Sequence, residues 1–321
     1  MARLPDIIDP TLAAIDAALV AGRAKRSRAS LSLGASSIGK PCARQLWYAF
    51  RWATRGGGMD AAGVRRVEDG DRGERVMAAR LRLVNGIELW ATDPATGRQY
   101  GAAWLGGHLK CYVDGVILGL IQAPKTPHVW EHKCVSEKRW RELAQLKAKH
   151  GEDAALQAWD DAYWAQAMLG MYGLGLDRHY LTVDTPGGRE SQSVRTRLDE
   201  AAAEHLVRKA EEIVFSDRAP PRYSDDPDFW LCRFCNHRGA CHGRDFAASN
   251  CRTCLHGEVR GEGGWRCALH ERVLTPPEQE AGCGTHLFLP DAVPGEVVEA
   301  SEGERRITYR LRDGKEWSDV A

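Results

Sequence analysis

Seven of the ten cysteines in this 321-residue chain fall between Cys232 and Cys283, in two groups that each begin with a C-x2-C step. Such a step turns two thiols toward one centre, so the chain around each group must fold to suit a shared ligand. The first group, WLCRFCNHRGACHG, places Cys232, Cys235 and Cys241 at C-x2-C-x5-C. Three thiols leave a four-ligand centre one short. His237, His242, a downstream cysteine or the distant Cys42 would complete it. An iron–sulfur cluster calls for four thiolates while zinc accepts a histidine, so the spacing alone leans toward zinc. The second group, Cys251, Cys254, Cys267 and Cys283 at C-x2-C-x12-C-x15-C, can close a tetrahedral zinc site by itself, with His256, His270 and His286 to spare. A module that small has little core, and metal binding would supply much of its folding energy. The setting agrees. The apolar LAAIDAALVAG near the start is broken by Asp16 and does not read as a signal peptide, and no run of about 18 apolar residues reads as a membrane span. The expected location is cytoplasmic with no membrane partner, where clustered cysteines serve metals rather than disulfides.

A second feature lies far from both groups. Gly107 to Cys134, GHLKCYVDGVILGLIQAPKTPHVWEHKC, reads as two strands with a turn at QAPKTP, Asp114 on the first and Glu131 and Lys133 on the second. Strand side chains alternate, so Glu131 and Lys133 share one face while His132 and Cys134 share the other. With Asp114 on the same side, two carboxylates and an ammonium would converge, a set that can hold a hard divalent cation and position a water. In isolation the pattern is also that of an ordinary charged edge hairpin. Cys111 and Cys134 fall out of phase with the acids and read as buried packing.

The remaining pattern alternates helices and strands. Residues 5–24 read as an amphipathic helix with a basic linker behind it, and Leu46, Trp47 and Phe50 stripe a helix that Cys42 precedes. GGGMDAAG is a flexible break. A charged helix from about Val67 to Val84 carries Glu74 ahead of Val76, Leu81 and Val84. Strands near 87–92 and 99–105 lead into the hairpin. Helices follow over 137–149 and 152–175, the second with Tyr163, Gln166, Gly170 and Met171 on one face. Strands at 178–185 and 190–198, a helix over 199–217 and an acidic tail hairpin complete the chain. Lys plus Arg and Asp plus Glu are 44 each, which excludes a uniformly basic nucleic-acid coat and leaves only local patches such as GRAKRSR (22–28) and KRWR (138–141) for phosphate.

Taken in order, Cys42, Glu74 within GDRGE, Asp114 within VDGV, Glu131 and Lys133 within EHK, Gln166 within YWAQAMLGMY and the trio Cys232, Cys235 and Cys241 make the chain resemble the RecB-like branch of the PD-(D/E)XK nucleases. It is most similar to the iron–sulfur exonucleases related to the CRISPR-associated Cas-four family, phage-encoded relatives included. The resemblance spans about Ser36 to Cys241. It implies an α/β fold, a PD-(D/E)XK (restriction-endonuclease-like) core with a mixed central sheet flanked by helices. It also implies that Cys42, Cys232, Cys235 and Cys241 hold a [4Fe–4S] cluster as a clasp, with a Cys3His zinc site as the alternative.

The implied activity is Mg2+- or Mn2+-dependent exonucleolytic cleavage of DNA, at ends or on single strands, in recombination, repair or end processing, with partner proteins from those settings. Asp114, Glu131 and the His132 carbonyl would bind the ion, helped by Glu74. Lys133 would orient water and Gln166, with Tyr163, would steady the site. Some relatives carry a histidine near the Glu74 position, where this chain offers Asp71 and Glu74. His108 reads as a phosphate contact or a structural hydrogen bond, and Trp47, Trp52 and Trp140 as base-stacking or core residues. The expected layout is an N-terminal helix and linker (1–33), a nuclease core with clasp (34–246), a cysteine-rich zinc module (247–290) and a tail hairpin (291–321). Two other classes fit the residues: a non-catalytic DNA-binding scaffold that keeps the fold, and a zinc-stabilised interaction protein whose D and ExK are coincidence.

Overall fold

A computed structural model describes residues 9–26, 30–54 and 58–321. The chain opens with α1 (Pro10–Arg26), β1 (Leu33–Gly34), α2 (Ala35–Ile38), α3 (Ala43–Phe50) and α4 (Ala61–Leu81). Five strands follow: β2 (Glu88–Trp90), β3 (Gly101–Trp104), β4 (Leu109–Tyr112), β5 (Gly115–Leu118) and β6 (His128–Cys134). Then come α5 (Glu137–His150), α6 (Glu152–Trp159), α7 (Asp161–Leu174), β7 (Arg178–Asp184), β8 (Ser191–Arg197) and α8 (Glu200–Phe215). The C-terminal third holds α9 (Trp230–Arg233), α10 (Arg238–Cys241), β9 (Gly257–Val259), β10 (Trp265–Cys267), β11 (Arg272–Leu274), α11 (Pro276–Ala281), β12 (Gly295–Ser301), β13 (Arg306–Leu311) and β14 (Glu316–Val320).

The largest sheet has the order β2-β5-β6-β7-β8, with β6 and β7 parallel and the other neighbours antiparallel. It is therefore a mixed sheet in an α/β fold, as expected. β6 lies at its centre, and its residues 128–132 are buried. That burial suits the near-continuous apolar and aromatic start of HVWEHKC, because a central strand is covered on both faces. On one face α4 packs Met77, Ala78 and Leu81 against Ile117 and Trp130. On the other, α7 lies so close that a Cβ on Gly170 would sit 3.0 Å from Val113 Cγ1 and 3.5 Å from Val129 Cγ1.

Several elements differ from the periodicity reading. The stretch 152–175 is two helices, because Asp160 leaves helical geometry (φ −161°, ψ 107°) and its side chain accepts hydrogen bonds from Ala162 N and Tyr163 N at 3.0 Å. An aspartate at that position competes well as an N-cap and restarts the helix there. α4 begins at Ala61, capped by Asp60. Its buried stripe is Val64, Met77, Ala78 and Leu81, while Val76 and Val84 are exposed. The tail is a three-stranded meander, β12-β13-β14, not a two-stranded hairpin. Residues 5–8 of the first helix, Ser27 and Arg28 of the basic cluster and Gly56 and Gly57 of the glycine break lie outside the described residues.

The cysteine-rich stretch shares the main core. Trp265, Cys267, Leu274, Leu289 and Ala292 belong to the same buried cluster as Leu46, Trp47 and Phe50 of α3 and Met168 and Leu169 of α7. Among the described residues, no helix is long and apolar enough to cross a membrane.

Candidate active site

Asp114 is not within a strand. It sits in the bend between β4 and β5, where the chain leaves the three-stranded sheet β1-β4-β3 and enters the five-stranded one. Gly115 pairs with Trp130 across the antiparallel β5–β6 ladder, so the preceding Asp114 stands opposite Glu131. Directly opposed residues share a face. The contact that fixes the acid is local: Asp114 Oδ2 accepts the His132 backbone N–H at 2.8 Å.

Glu131 and Lys133 project from the same side of β6. Lys133 Nζ donates to Glu131 Oε1 at 2.6 Å, and Gln166 Nε2 donates to the same oxygen at 2.7 Å. The Tyr163 ring lies beneath the ammonium, its centroid 5.3 Å from Nζ. Tyr163 and Gln166 are one turn apart at the start of α7, so the Asp160 cap that restarts this helix also aims both side chains at β6. Among the described residues no side chain hydrogen-bonds the remaining oxygens, Asp114 Oδ1 and Glu131 Oε2, although the Asp114 backbone N–H also reaches the Glu131 carboxylate.

Glu74 approaches from the α4 side. A Cβ on Gly73 would lie 3.0 Å from His132 Nε2 and 3.6 Å from Cys134 Cβ, so the glycine lets α4 settle directly on β6. The neighbouring Glu74 is half-buried, within electrostatic reach of Asp114 and Lys133. Burial, and next the Asp114 charge, push its carboxyl above the usual range. Burial raises Asp114 as well, against the pull of Lys133. Burial pushes Glu131 up to about 7, with Lys133 opposing and Asp114 adding to the rise. For Lys133, burial acts downward, but the Glu131 and Asp114 carboxylates outweigh it and the ammonium is held in its charged form. Three carboxylates thus surround one ammonium.

Sequence reading missed Thr182. Its hydroxyl meets Trp130 Nε1 at 3.0 Å and His132 Nδ1 at 3.1 Å, and donates to the Glu131 carbonyl at 3.3 Å. One β7 hydroxyl therefore fixes the β6 backbone between the two reactive side chains. A threonine in a strand carries no signal of that task; only the parallel register, with Thr182 opposite His132, supplies it.

Other candidates take structural places. Cys134 lies on the α4 side, as its phase requires. Cys111 is buried on the α7 side, 3.9 Å from the Gln166 carbonyl, where burial pushes its thiol up to about 12. It is packing, as expected, but its phase relative to Asp114 is lost when the chain changes sheet. His108 is buried, with Nε2 2.9 Å from the Arg260 carbonyl, which gives it the structural role of its two readings. Trp47 is fully buried in the core, Trp52 packs under Arg252, and Trp140 is partly buried against the α5–α6 cluster. In KRWR, Arg139 pairs with Glu142 and Asp160 and Arg141 with Glu137, so most of its charge is neutralised locally.

Cys42, Cys232, Cys235 and Cys241 line one cavity between α3 and the α9–α10 turn, with His237 and Tyr48 beside them. His237 Nδ1 is engaged by Thr54 Oγ1 at 2.8 Å. Cys251, Cys254, Cys267 and Cys283 line a second cavity with His256 and His286. Burial, and then the three neighbouring thiols, push Cys251 up to about 11. Among the described residues, no three Cys, His, Asp or Glu side chains are closed around a common centre as an ion would hold them.

The fold and site define a mixed-sheet α/β protein with a carboxylate–lysine pocket at the centre of its main sheet. Neither a protein-family profile nor a curated protein matches the chain. Solved structures similar to it include that of SSO0001, at 14% identity and TM-score 0.38, covering 71% of this chain and 94% of that one. An alkaline exonuclease, LHK-Exo from Laribacter hongkongensis, aligns at 14% identity and TM-score 0.36, covering 61% of this chain and 90% of that one. LHK-Exo in complex with dAMP aligns at the same identity and TM-score, over 57% and 85%. With similarity this low, the functional reading rests on the site itself.

Proposed function

We propose that this chain is a divalent-cation-dependent deoxyribonuclease that hydrolyses phosphodiester bonds, working as an exonuclease on DNA ends. The observation that carries this reading is the charge balance of the pocket. Asp114, Glu131 and Glu74 face the Lys133 ammonium, and the Asp71 and Arg75 charges that also act on Glu74 offset one another. Fully ionised, such a set carries two surplus negative charges at a half-buried centre, which a hard divalent cation would neutralise. The choice of DNA ends, and the settings of recombination, repair or end processing, follow from the resemblance in residue order.

Asp114, Glu131 and the His132 carbonyl, with Glu74 alongside, would hold Mg2+ or Mn2+. When bound, the ion polarises the scissile phosphate and acidifies water. Lys133, fixed between Glu131 Oε1 and the Tyr163 ring, orients the attacking water and offsets negative charge growing on the phosphoryl oxygens. Gln166 holds Glu131 Oε1, so that the other oxygen stays turned to the ion. Asp114 grips the peptide N–H of His132 and thereby presents the carbonyl side of β6 in one orientation.

The proposal extends to the first cysteine group. Cys42, Cys232, Cys235 and Cys241 line one cavity, and a [4Fe–4S] cluster on these four thiols is what the resemblance in residue order implies. The cluster would tie α3 to α9 and α10 across roughly 190 residues of chain, a long-range closure whose benefit grows only slowly with loop length.

Asp114→Ala and Lys133→Ala should each abolish Mn2+-dependent degradation of 5′- and 3′-labelled single and double strands while the thermal transition stays cooperative. Retained activity in both would remove the assignment. DNA binding without cleavage by the unaltered chain would instead mark a scaffold. Anaerobically purified protein should be brown, and a colourless chain lacking iron would remove the cluster.

A further inference from the structure

Two guanidinium groups are sealed inside the core beside the second cysteine group. Arg51, at the end of α3, is fully buried; its Nη2 reaches Asp217 Oδ1 at 3.1 Å and the Ser216 carbonyl at 2.7 Å, and its Nη1 the Arg252 carbonyl at 2.9 Å. Arg252 is 1% exposed and differs in one respect. Its donors go to the Phe50 carbonyl at 2.8 Å, Gln279 Oε1 at 2.9 Å and the Leu31 carbonyl at 3.4 Å. Its Cζ lies 3.6 Å from the Trp52 ring centroid and 5.1 Å from that of Trp265. Among the described residues no carboxylate pairs with it, and its charged neighbour is Arg51, of like sign. A buried cation without a counter-charge is costly, and carbonyls and ring faces offset only part of that cost.

The dipeptide Arg252–Thr253 is flanked in sequence by two members of the second cysteine group. Cys251 precedes it and Cys254 follows it, and both line the cavity that Cys267 and Cys283 complete. His256 Nε2 and His286 Nε2 line the same cavity, buried without a hydrogen-bond partner. Ring N–H groups left over at a thiol cavity suit donation to thiolate sulfur, the usual support around a metal's ligands. We infer that Cys251, Cys254, Cys267 and Cys283 bind one Zn2+ as a tetrathiolate, and that this centre holds the turn that seats Arg252 in the core. The zinc then does more than hold a small module together. By fixing both ends of the Cys251–Cys254 turn it keeps Arg252 seated against α3, and so joins the cysteine-rich segment to the core that carries the pocket on β6. This inference is independent of the nuclease reading, because zinc content and nuclease activity are separate measurements.

The test uses the full chain. Elemental analysis should find about one zinc per chain, and the zinc absorption edge should show four sulfur neighbours at about 2.3 Å. Absence of zinc, or a shell with nitrogen or oxygen donors, overturns the tetrathiolate. Cys283→Ser should lose zinc while leaving iron in place, and Cys42→Ser should leave zinc in place; zinc that survives Cys283→Ser overturns the ligand assignment. Should Cys283→Ser fail to fold, the absorption-edge measurement on the unaltered chain decides. Coupling runs both ways, so Arg252→Met should release zinc to a chelator about tenfold more readily, and the part of the tryptophan emission lost in Trp52→Phe should change on zinc removal. Zinc affinity unchanged by Arg252→Met, with that part of the emission unmoved by zinc removal, overturns the coupling between the zinc and the Arg252 seat.

Discussion

The pocket on β6 and the arginine cage beneath β10 both bury charge, and they satisfy it in opposite ways. In the cage, Arg51 and Arg252 spend their donors on carbonyls, a glutamine and one carboxylate, and Trp47, Trp52 and Trp265 cover the guanidinium faces. Of their nitrogens, Arg51 Nε is left buried without a partner among the described residues. In the pocket, Lys133 and Gln166 share a single oxygen of Glu131, Asp114 gives one oxygen to a backbone N–H, and no side chain among the described residues hydrogen-bonds the second oxygens. Closed satisfaction is what a core needs, and open satisfaction is what chemistry needs. The difference locates function more sharply than burial does, since Glu131 is buried as the two arginines are.

The largest effects should separate the two regions. Lys133→Met is expected to lower metal-dependent DNA hydrolysis by roughly 10²–10⁴-fold in a single-turnover assay, the usual span for loss of one acid–base or charge-stabilising group, with little change in unfolding midpoint. Trp265→Ala should do the reverse. It removes a fully buried ring that faces both guanidiniums, and denaturant titration should read a loss of about 3–5 kcal/mol. If Trp265→Ala abolished hydrolysis while sparing stability, the contrast between cage and pocket would be wrong.

Next in size is the Gln166→Leu variant. The amide acts only through Glu131 Oε1, so activity should fall about 10–100-fold, as for other residues that hold a metal ligand, with a raised Mg2+ requirement. A fall of the same size at saturating and limiting Mg2+ would point to a role in packing alone.

Glu131 offers a pH signature. Its folded carboxyl is raised to about 7 against an ordinary 4.5, so the native state holds that proton more tightly than the unfolded chain. Its contribution to stability is full below about 4.5 and is lost as pH rises through about 7. Without divalent cations the unfolding temperature should therefore fall between these values. Glu131→Gln should flatten the slope, and added Mg2+ should restore stability at the alkaline end. A wild-type profile that rises with pH over that window would contradict the burial assigned to this carboxyl.

The smallest predicted effect is at Gly73→Ala. The added methyl meets the His132 ring and Cys134, and the helix must give by a few tenths of an ångström, which offsets the roughly 1 kcal/mol that alanine gains over glycine inside a helix, so stability should change little while activity drops measurably as Glu74 withdraws.

How much of this was legible in the chain differs from residue to residue. The alternation of Glu131 and Lys133 on β6 follows from strand geometry alone, and so does the placing of Cys134 on the other face. The close approach of α4 at Gly73 is not legible in GDRGE; it appears only once the helix lies on β6. Asp114 is different, because the bend that carries it begins where the chain changes sheets, and periodicity counted through that bend misplaces both its strand and the phase of Cys111. The helix break at Asp160 was hidden for a related reason. An apolar run that looks continuous carries a cap strong enough to restart the helix, and that restart aims Tyr163 and Gln166.

The sequence by itself determined the local geometry: which side chains share a strand face, which turns can present two thiols, where a helix lacks a Cβ. Only the tertiary structure decided what meets across elements. Asp114 stands opposite Glu131 because β5 and β6 are antiparallel neighbours in one register, Thr182 reaches the Glu131 carbonyl because β7 lies parallel beside it, and Arg252 enters the α3 aromatics from 200 residues away. Periodicity is a property of a few consecutive residues, whereas register and burial are set by the packing of distant ones, and that is where the pocket took its charge balance.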